Sequence, residues 1–162
     1  MKITKSTKYL VQAAAIGAVY AVLTIALAPI SYGIMQVRVS EAMTILPYFT
    51  PAAIPGLFIG CLIANIYGGL GIIDIVFGSL ATLVAAFLSY KLRKWKFLVP
   101  IPPIIINAIV VGIVLYYAFL YEPQFKSPLI VIMGWVALGQ LISCYGLGYP
   151  LMVMLEKYRH KF

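Results

Sequence analysis

The residues whose types and spacing could do chemistry lie in one apolar stretch, residues 37–65, which reads VRVSEAMTILPYFTPAAIPGLFIGCLIAN. This stretch is apolar enough for a membrane, yet it holds Arg38, Glu41, Pro51 and Pro55. Charged side chains within membrane segments are costly and usually face a protein interior or a water-filled cavity. Broken helices at membrane depth persist only where protein or a cavity satisfies the freed backbone groups. The stretch is therefore predicted to form the wall of a polar site inside a helical bundle.

Two carboxylates are the main candidates for binding a ligand. Glu41 and Asp74 each begin a predicted helix at the outer side of the membrane, where a negative charge also stabilises a helix N-terminus. Both could therefore be helix caps, and Glu41 could instead form a salt bridge with Arg38, three residues earlier. The other two acidic residues, Glu122 and Glu156, are predicted to be solvated in an outer loop and in the cytoplasmic tail.

Amide and aromatic side chains supply further candidates. Asn65 lies near the outer end of a predicted helix, whereas Asn107 and Gln140 lie within later ones. Amides in membrane helices can also simply hydrogen-bond a neighbouring helix. Trp135 is the candidate to stack on a planar ligand, and its alternative interpretation is an anchor at the membrane interface.

Composition places the chain in the membrane. Of its 162 residues, 64% are hydrophobic and 10% charged, whereas soluble domains carry roughly a quarter charged residues. We predict an all-α integral membrane protein with a single transmembrane domain over residues 1–162. The net charge of +8 does not indicate nucleic-acid binding, because the basic residues cluster at helix ends, as in cytoplasmic loops. The first apolar run lacks a signal-peptide cleavage site and is interpreted as the first helix.

The sequence predicts six helices with a short second one. Ser40 is the predicted N-cap of that short helix, and the turn after the third helix is assigned to Gly68, Gly69 and Gly71. The predicted bounds are Tyr9–Ala28, Ser40–Phe49, Ala53–Tyr67, Ile72–Leu92, Pro100–Tyr121 and Pro128–Lys157, with a loop at 122–127.

The charge map determines this count. If residues 40–67 enter and return as two helices, the N-terminus, the basic run KLRKWK and the C-terminal KYRHK all lie in the cytoplasm. A ten-residue helix covers only ~15 Å, so it cannot cross ~30 Å of hydrocarbon and must pack within the bundle.

Small residues at spacing four mark the first helix, where Ala14 and Ala18, and also Gly17 and Ala21, allow close helix packing. Such a face could dock another membrane subunit or pack within this bundle. Catalytic signals are missing: the single histidine, His160, is in the basic tail, and no nucleotide-binding motif is present. We expect neither a cofactor nor a metal site, and no disulfide between Cys61 and Cys144.

The segments VRVSEAMTILPYFTPAAIPGLFIGCLIAN, GIIDIVFGSLATLVAAFLSYKLRK and PPIIINAIVVGI resemble the queuosine precursor transporter (QueT) family. The resemblance covers residues 9–155. It implies a substrate-binding S component of an energy-coupling-factor (ECF) transporter in a bacterial cell membrane. S components are six-helix proteins that capture a solute near the outer face and work with a transmembrane T subunit and two cytoplasmic ATPases.

The resemblance implies a 7-deazaguanine as the solute, either the 7-aminomethyl queuosine precursor or queuine. One carboxylate can accept two adjacent N–H donors of a guanine-type edge, and a second would meet the aminomethyl cation. Glu41 and Asp74 could supply the two. The carbonyl of the base needs a donor from Arg38, Asn65, Asn107 or Gln140, and Trp135 could stack on the ring. Two other classes remain open: a stand-alone secondary transporter or channel, and an intramembrane enzyme, which would need a second catalytic group near Glu41.

Overall fold

Long apolar runs, separated by glycines, prolines and basic clusters, become helices in the computed structural model of the chain. The structure describes residues 5–32, 37–119 and 127–159. Its α-helices are α1 (Lys5–Ala26), α2 (Ala28–Ser31), α3 (Ala53–Gly68), α4 (Ser79–Lys91), α5 (Ile101–Phe119), α6 (Leu129–Leu141) and α7 (Tyr149–Glu156). A 3-10 helix spans Val39–Tyr48, and π-helical segments span Asp74–Gly78 and Ile142–Gly148.

Four helical stretches are long and apolar enough to cross a bilayer: Lys5–Ala26, Asp74–Lys91, Lys96–Ala118 and Leu129–Glu156. Helix α3 is also apolar but shorter. No strand occurs in the described ranges. The prediction of an all-α, multi-pass membrane protein is confirmed.

The count of six helices is not confirmed, because the chain divides more finely than the pattern predicted. A single-turn helix, α2, separates from α1 at Leu27, and Pro29 lies in its first turn rather than after the first helix. The last predicted helix is divided into α6 and α7 by a π-helical segment that ends at Gly148, just before Pro150. The predicted loop at 122–127, including Glu122, lies outside the described residues apart from Ser127.

Helices α1 and α3 pack with their backbones almost in contact. A Cβ added at Gly60 would lie 2.6 Å from the Gly17 carbonyl oxygen, and one added at Gly56 would lie 2.6 Å from the Ala13 carbonyl oxygen. Gly56 and Gly60 form a G-x-x-x-G pair, which permits this approach. Gly17 therefore packs within the bundle, whereas Ala14 and Ala18 stay exposed on the other side of α1.

The 3-10 helix Val39–Tyr48, which we call the buried helix, is enclosed by the other helices. Every side chain from Ser40 to Tyr48 is buried. Ten residues of 3-10 helix reach only ~20 Å, short of the ~30 Å hydrocarbon core. The expectation that this helix packs inside the bundle agrees with its burial.

The predicted N-cap of the buried helix is wrong. Arg38 is the N-cap residue, and no side chain caps the helix. The Ser40 hydroxyl instead pairs with Thr24 Oγ1 of α1 at 2.6 Å. Because the helix already begins at Val39, Ser40 is its second residue and does not occupy the capping position.

Candidate functional site

One face of the buried helix carries the polar residues that the sequence singled out. A 3-10 helix has three residues per turn, so side chains three positions apart lie above one another. Arg38, Glu41 and Thr44 therefore share a face, and all three are buried. The Glu41 amide donates to the Arg38 carbonyl oxygen at 2.9 Å, which fixes this first turn.

Arg38 and Glu41 make no salt bridge with each other. The Arg38 Nε donates to the Ser31 carbonyl oxygen at 3.3 Å, and the guanidinium carbon lies 5.5 Å from the centre of the Tyr32 ring. The Arg38 Nη2 atom is buried with no hydrogen-bond partner among the described residues. The guanidinium group thus keeps a donor available within the bundle.

Glu41 is held by α1 rather than by Arg38. The Tyr20 hydroxyl donates to Glu41 Oε1 at 2.5 Å. The second oxygen, Oε2, is buried and has no hydrogen-bond partner in the part of the chain that the structure describes. Buried polar atoms are nearly always hydrogen-bonded, so each one without a partner needs an explanation.

Asp74 begins the π-helical segment Asp74–Gly78 and lies beside Asn65 of α3. The Asn65 Nδ2 donates to the Asp74 backbone carbonyl oxygen at 3.2 Å. Within residues 5–32, 37–119 and 127–159, both carboxylate oxygens of Asp74 and the side-chain oxygen of Asn65 are buried without a partner. Gly78 leaves room for these two side chains, since a Cβ there would lie 2.8 Å from Asn65 Nδ2 and 3.0 Å from Asp74 Oδ1.

The Cys61 thiol lies between Arg38 and Asn65, the neighbour of Asp74. Its Sγ lies 4.0 Å from Arg38 Nη1, 3.5 Å from Asn65 Nδ2 and 3.2 Å from Thr82 Oγ1. The thiol is fully buried. We call Arg38, Glu41, Cys61, Asn65 and Asp74, with their hydrogen-bonding neighbours Tyr20 and Thr82, the polar cluster.

The formal charges of the polar cluster do not cancel. It contains two carboxyl groups, Glu41 and Asp74, and one guanidinium, Arg38, all buried. Buried charges are stable only when they are paired and hydrogen-bonded. With both carboxylates ionised, the cluster has a negative charge left over, and it suits a ligand that brings one positive charge and several N–H donors.

The structure places the remaining predicted residues in different surroundings. Gln140 is buried and accepts from Cys144 Sγ at 3.6 Å, and Cys144 also lies 3.7 Å from the Glu41 carbonyl oxygen. Gln140 thus approaches the buried helix from another side. Asn107 is buried on α5, and its side-chain oxygen has no partner. Trp135 lies on α6 and is 43% exposed.

Sequence reasoning missed three contributors to the cluster. Tyr20, Cys61 and Thr82 are not among the ligand-binding residues that the sequence predicts. A signal was available on α1, where Tyr20 and Thr24 are polar, four residues apart and on one helix face. Neither structural interpretation of Glu41, a helix cap or a salt bridge with Arg38, involves the partner 21 residues away.

An apolar concavity of about 470 Å³ lies outside the polar cluster, between residues 73–77 and α5. It is lined by Ile73, Phe77, Val110, Ile113, Val114 and Tyr117 and includes no residue of the polar cluster. Several of these side chains are exposed on the outer surface of the bundle. A groove of this composition suits lipid chains and does not suit a polar solute.

Comparisons with known proteins match the chain to a transporter family. A family model described as QueT transporter matches residues 10–157. Over 88 residues the chain is 40% identical to the Queuosine precursor transporter QueT of Lactococcus lactis subsp. cremoris (strain MG1363). That alignment covers 52% of this chain and 50% of the relative, so the chain spans about half the length of the curated relative that it matches. No solved structure shows significant similarity to the chain.

Proposed function

We propose that this chain, which belongs to the QueT transporter family, binds a queuosine precursor in the polar cluster as the substrate-binding S component of an ECF importer. Membership in a transporter family places the chain among transport proteins rather than enzymes. The observation that carries the proposal is a set of buried polar atoms on Arg38, Glu41, Asn65 and Asp74 that have no partner among the described residues.

The chemistry of a 7-deazaguanine complements these atoms. The guanine-type edge offers adjacent N–H donors, and Glu41 Oε2 is an acceptor without a partner. The carbonyl of the base accepts hydrogen bonds, and Arg38 Nη2 is a donor without a partner. We assign Glu41 to the donor edge and Arg38 to the carbonyl, with Asn65 beside them.

The 7-aminomethyl substituent is a cation, which fits the second carboxylate. Both oxygens of Asp74 are buried and unpartnered, and its side chain is fully inaccessible. A charge-assisted hydrogen bond to an ammonium group would satisfy an oxygen and offset the negative charge left over in the cluster. We therefore favour the aminomethyl compound over a neutral 7-deazaguanine as the ligand. Asn107 and Gln140 are secondary candidates for residues that contact it. The exposed Trp135 is the least supported of the predicted ligand contacts.

The partners in this proposal are a T subunit in the membrane and two cytoplasmic ATPases. Of the two small-residue pairs on α1, the buried pair that contains Gly17 and Ala21 faces the bundle, whereas Ala14 and Ala18 remain exposed. An exposed small-residue face allows another helix to approach closely, so we assign the T-subunit contact to Ala14 and Ala18. We also propose that both termini lie in the cytoplasm, because basic runs flank the membrane segments on that side.

A titration of the purified chain tests the binding proposal. Wild-type protein should bind 7-aminomethyl-7-deazaguanine, and Glu41→Gln should weaken binding at least ~10-fold, because ~1.4 kcal/mol corresponds to that factor and unpaired buried donors cost ~1–3 kcal/mol. Unchanged affinity in folded Glu41→Gln would remove Glu41 from the binding site.

The alternative function is a stand-alone secondary transporter or channel. It predicts uptake into liposomes by the chain alone, whereas the S-component proposal requires the T subunit, the ATPases and ATP. ATP-independent uptake by the isolated chain would favour the alternative.

A further inference from the structure

Tyr20 makes the shortest side-chain contact to a carboxylate of the polar cluster. Its side chain is fully buried on α1, and its hydroxyl donates to Glu41 Oε1 at 2.5 Å. That distance lies in the range of charge-assisted O–H to carboxylate hydrogen bonds, which are about twice as strong as neutral ones. The two residues are 21 positions apart, so the bond ties α1 to the buried helix.

The two oxygens of Glu41 therefore differ. Oε1 is engaged by Tyr20, whereas Oε2 has no partner. The terminal torsion of a glutamate side chain is broad when nothing restrains it. A hydroxyl that holds one oxygen restricts this torsion and so sets the direction of the other oxygen.

We infer that Tyr20 is a positioning residue of the ligand site, which holds Glu41 Oε1 so that Oε2 is the oxygen presented to the N–H donors of the ligand. This inference rests on the proposed function, because it assumes that Glu41 meets a ligand. Tyr20 itself touches Glu41 in the structure, and it acts on the ligand through that carboxylate.

A second hydrogen bond between the same two elements provides a matched control. Thr24 lies four residues further along α1, is equally buried, and pairs with Ser40 Oγ at 2.6 Å. Both hydrogen bonds of the Thr24 hydroxyl, to Ser40 and to the Tyr20 carbonyl oxygen, leave the Glu41 carboxylate uninvolved. Removing the Thr24 hydroxyl therefore weakens the attachment of the buried helix to α1 without freeing the carboxylate.

The experiment compares Tyr20→Phe with Thr24→Val in the full chain, by titration with 7-aminomethyl-7-deazaguanine. Tyr20→Phe should weaken binding roughly 10-fold, in keeping with the strength of hydrogen bonds to charged groups, and Thr24→Val less than about twofold. In a Glu41→Ala background the added effect of Tyr20→Phe should fall below about twofold, because no carboxylate remains to be positioned. Equal losses in Tyr20→Phe and Thr24→Val, or a full Tyr20→Phe effect without Glu41, would overturn the inference.

Infrared difference spectra without ligand give an independent readout. Subtracting the Glu41→Gln spectrum from the wild-type spectrum identifies the Glu41 carboxyl band. Tyr20→Phe should shift this band, and Thr24→Val should leave it in place. An unshifted band in Tyr20→Phe would overturn the inference. If wild-type protein binds no 7-deazaguanine while the band still shifts, the proposed function fails and the hold of Tyr20 on Glu41 is supported.

Discussion

Replacing Asp74 with asparagine should separate the two carboxylates of the polar cluster. The substitution keeps the size of the side chain and removes its charge. It also leaves the bond between Asn65 and the Asp74 backbone carbonyl in place, since that bond does not involve the carboxylate. The helix start should therefore keep its geometry, and the change should act on the ligand.

The magnitude follows from the pairing of the carboxylate. Neither oxygen of Asp74 has a partner within the described protein, so the aminomethyl cation would be its main partner. Hydrogen bonds to charged groups contribute ~1.5–3 kcal/mol. Because asparagine keeps one acceptor oxygen, we take the lower end, ~1.5–2 kcal/mol, which is a ~10- to 30-fold loss of affinity. A ligand without the cation should lose less than about threefold.

Isothermal titration with 7-aminomethyl-7-deazaguanine and with unsubstituted 7-deazaguanine measures the difference. Glu156→Gln is the matched control, because Glu156 is a carboxylate paired with Lys96 at 2.6 Å outside the polar cluster. It should change neither affinity. The thermal midpoint of the ligand-free protein should rise in Asp74→Asn, since the substitution removes an unpaired buried charge.

Equal losses for the two ligands in Asp74→Asn would refute the reasoning, because the carboxylate would then not recognise the cation. A lower thermal midpoint would also count against it. That result would mean that the Asp74 carboxylate stabilises the ligand-free bundle.

Three further predictions concern packing, docking and topology. Gly60→Ala should lower the free energy of unfolding by ~1–3 kcal/mol and with it the thermal midpoint, because its Cβ would lie 2.6 Å from a backbone oxygen of α1. Gly134→Ala is the control and should be neutral, because no described atom lies within 4 Å of its Cβ. Equal midpoints for the two variants would contradict the close packing. Leucine at both Ala14 and Ala18 should abolish ATP-driven uptake in the reconstituted complex and leave ligand affinity intact, and surviving uptake would exclude this face as the docking surface. In intact cells an impermeant thiol reagent should label Gly69→Cys but not a cysteine placed in the basic run KLRKWK, and the reverse pattern would overturn the orientation.

The local features of the fold were readable from the sequence. The bounds of α3, predicted as Ala53–Tyr67, agree with Ala53–Gly68 to one residue, because a glycine with positive φ follows it at Gly69. The enclosed position of the buried helix followed from its length and from the cost of its charges in lipid. These arguments need only the chain itself and the thickness of a membrane.

Contacts between distant residues were not readable. The 3-10 geometry that aligns Arg38 with Glu41 has no clear signal in residue types. The partner of Glu41 is Tyr20, and the partner of Ser40 is Thr24, both on another helix. Trp135 was selected by its residue type and its depth in the last predicted helix, and neither determines which face of a helix is buried. Local patterns thus identified which residues are costly in a membrane, but not which distant side chains form hydrogen bonds with them.

The measurement that tests the central claim most directly is the identity of the small molecule that co-purifies with the chain. Cells that produce wild-type or Glu41→Gln protein are grown with 7-aminomethyl-7-deazaguanine, and the purified proteins are denatured and analysed by mass spectrometry. We expect the aminomethyl compound at near-stoichiometric amounts in wild-type protein and a loss of most of it in Glu41→Gln. No deazaguanine in either protein, or equal amounts in both, would contradict the assignment of the polar cluster as the binding site for a queuosine precursor.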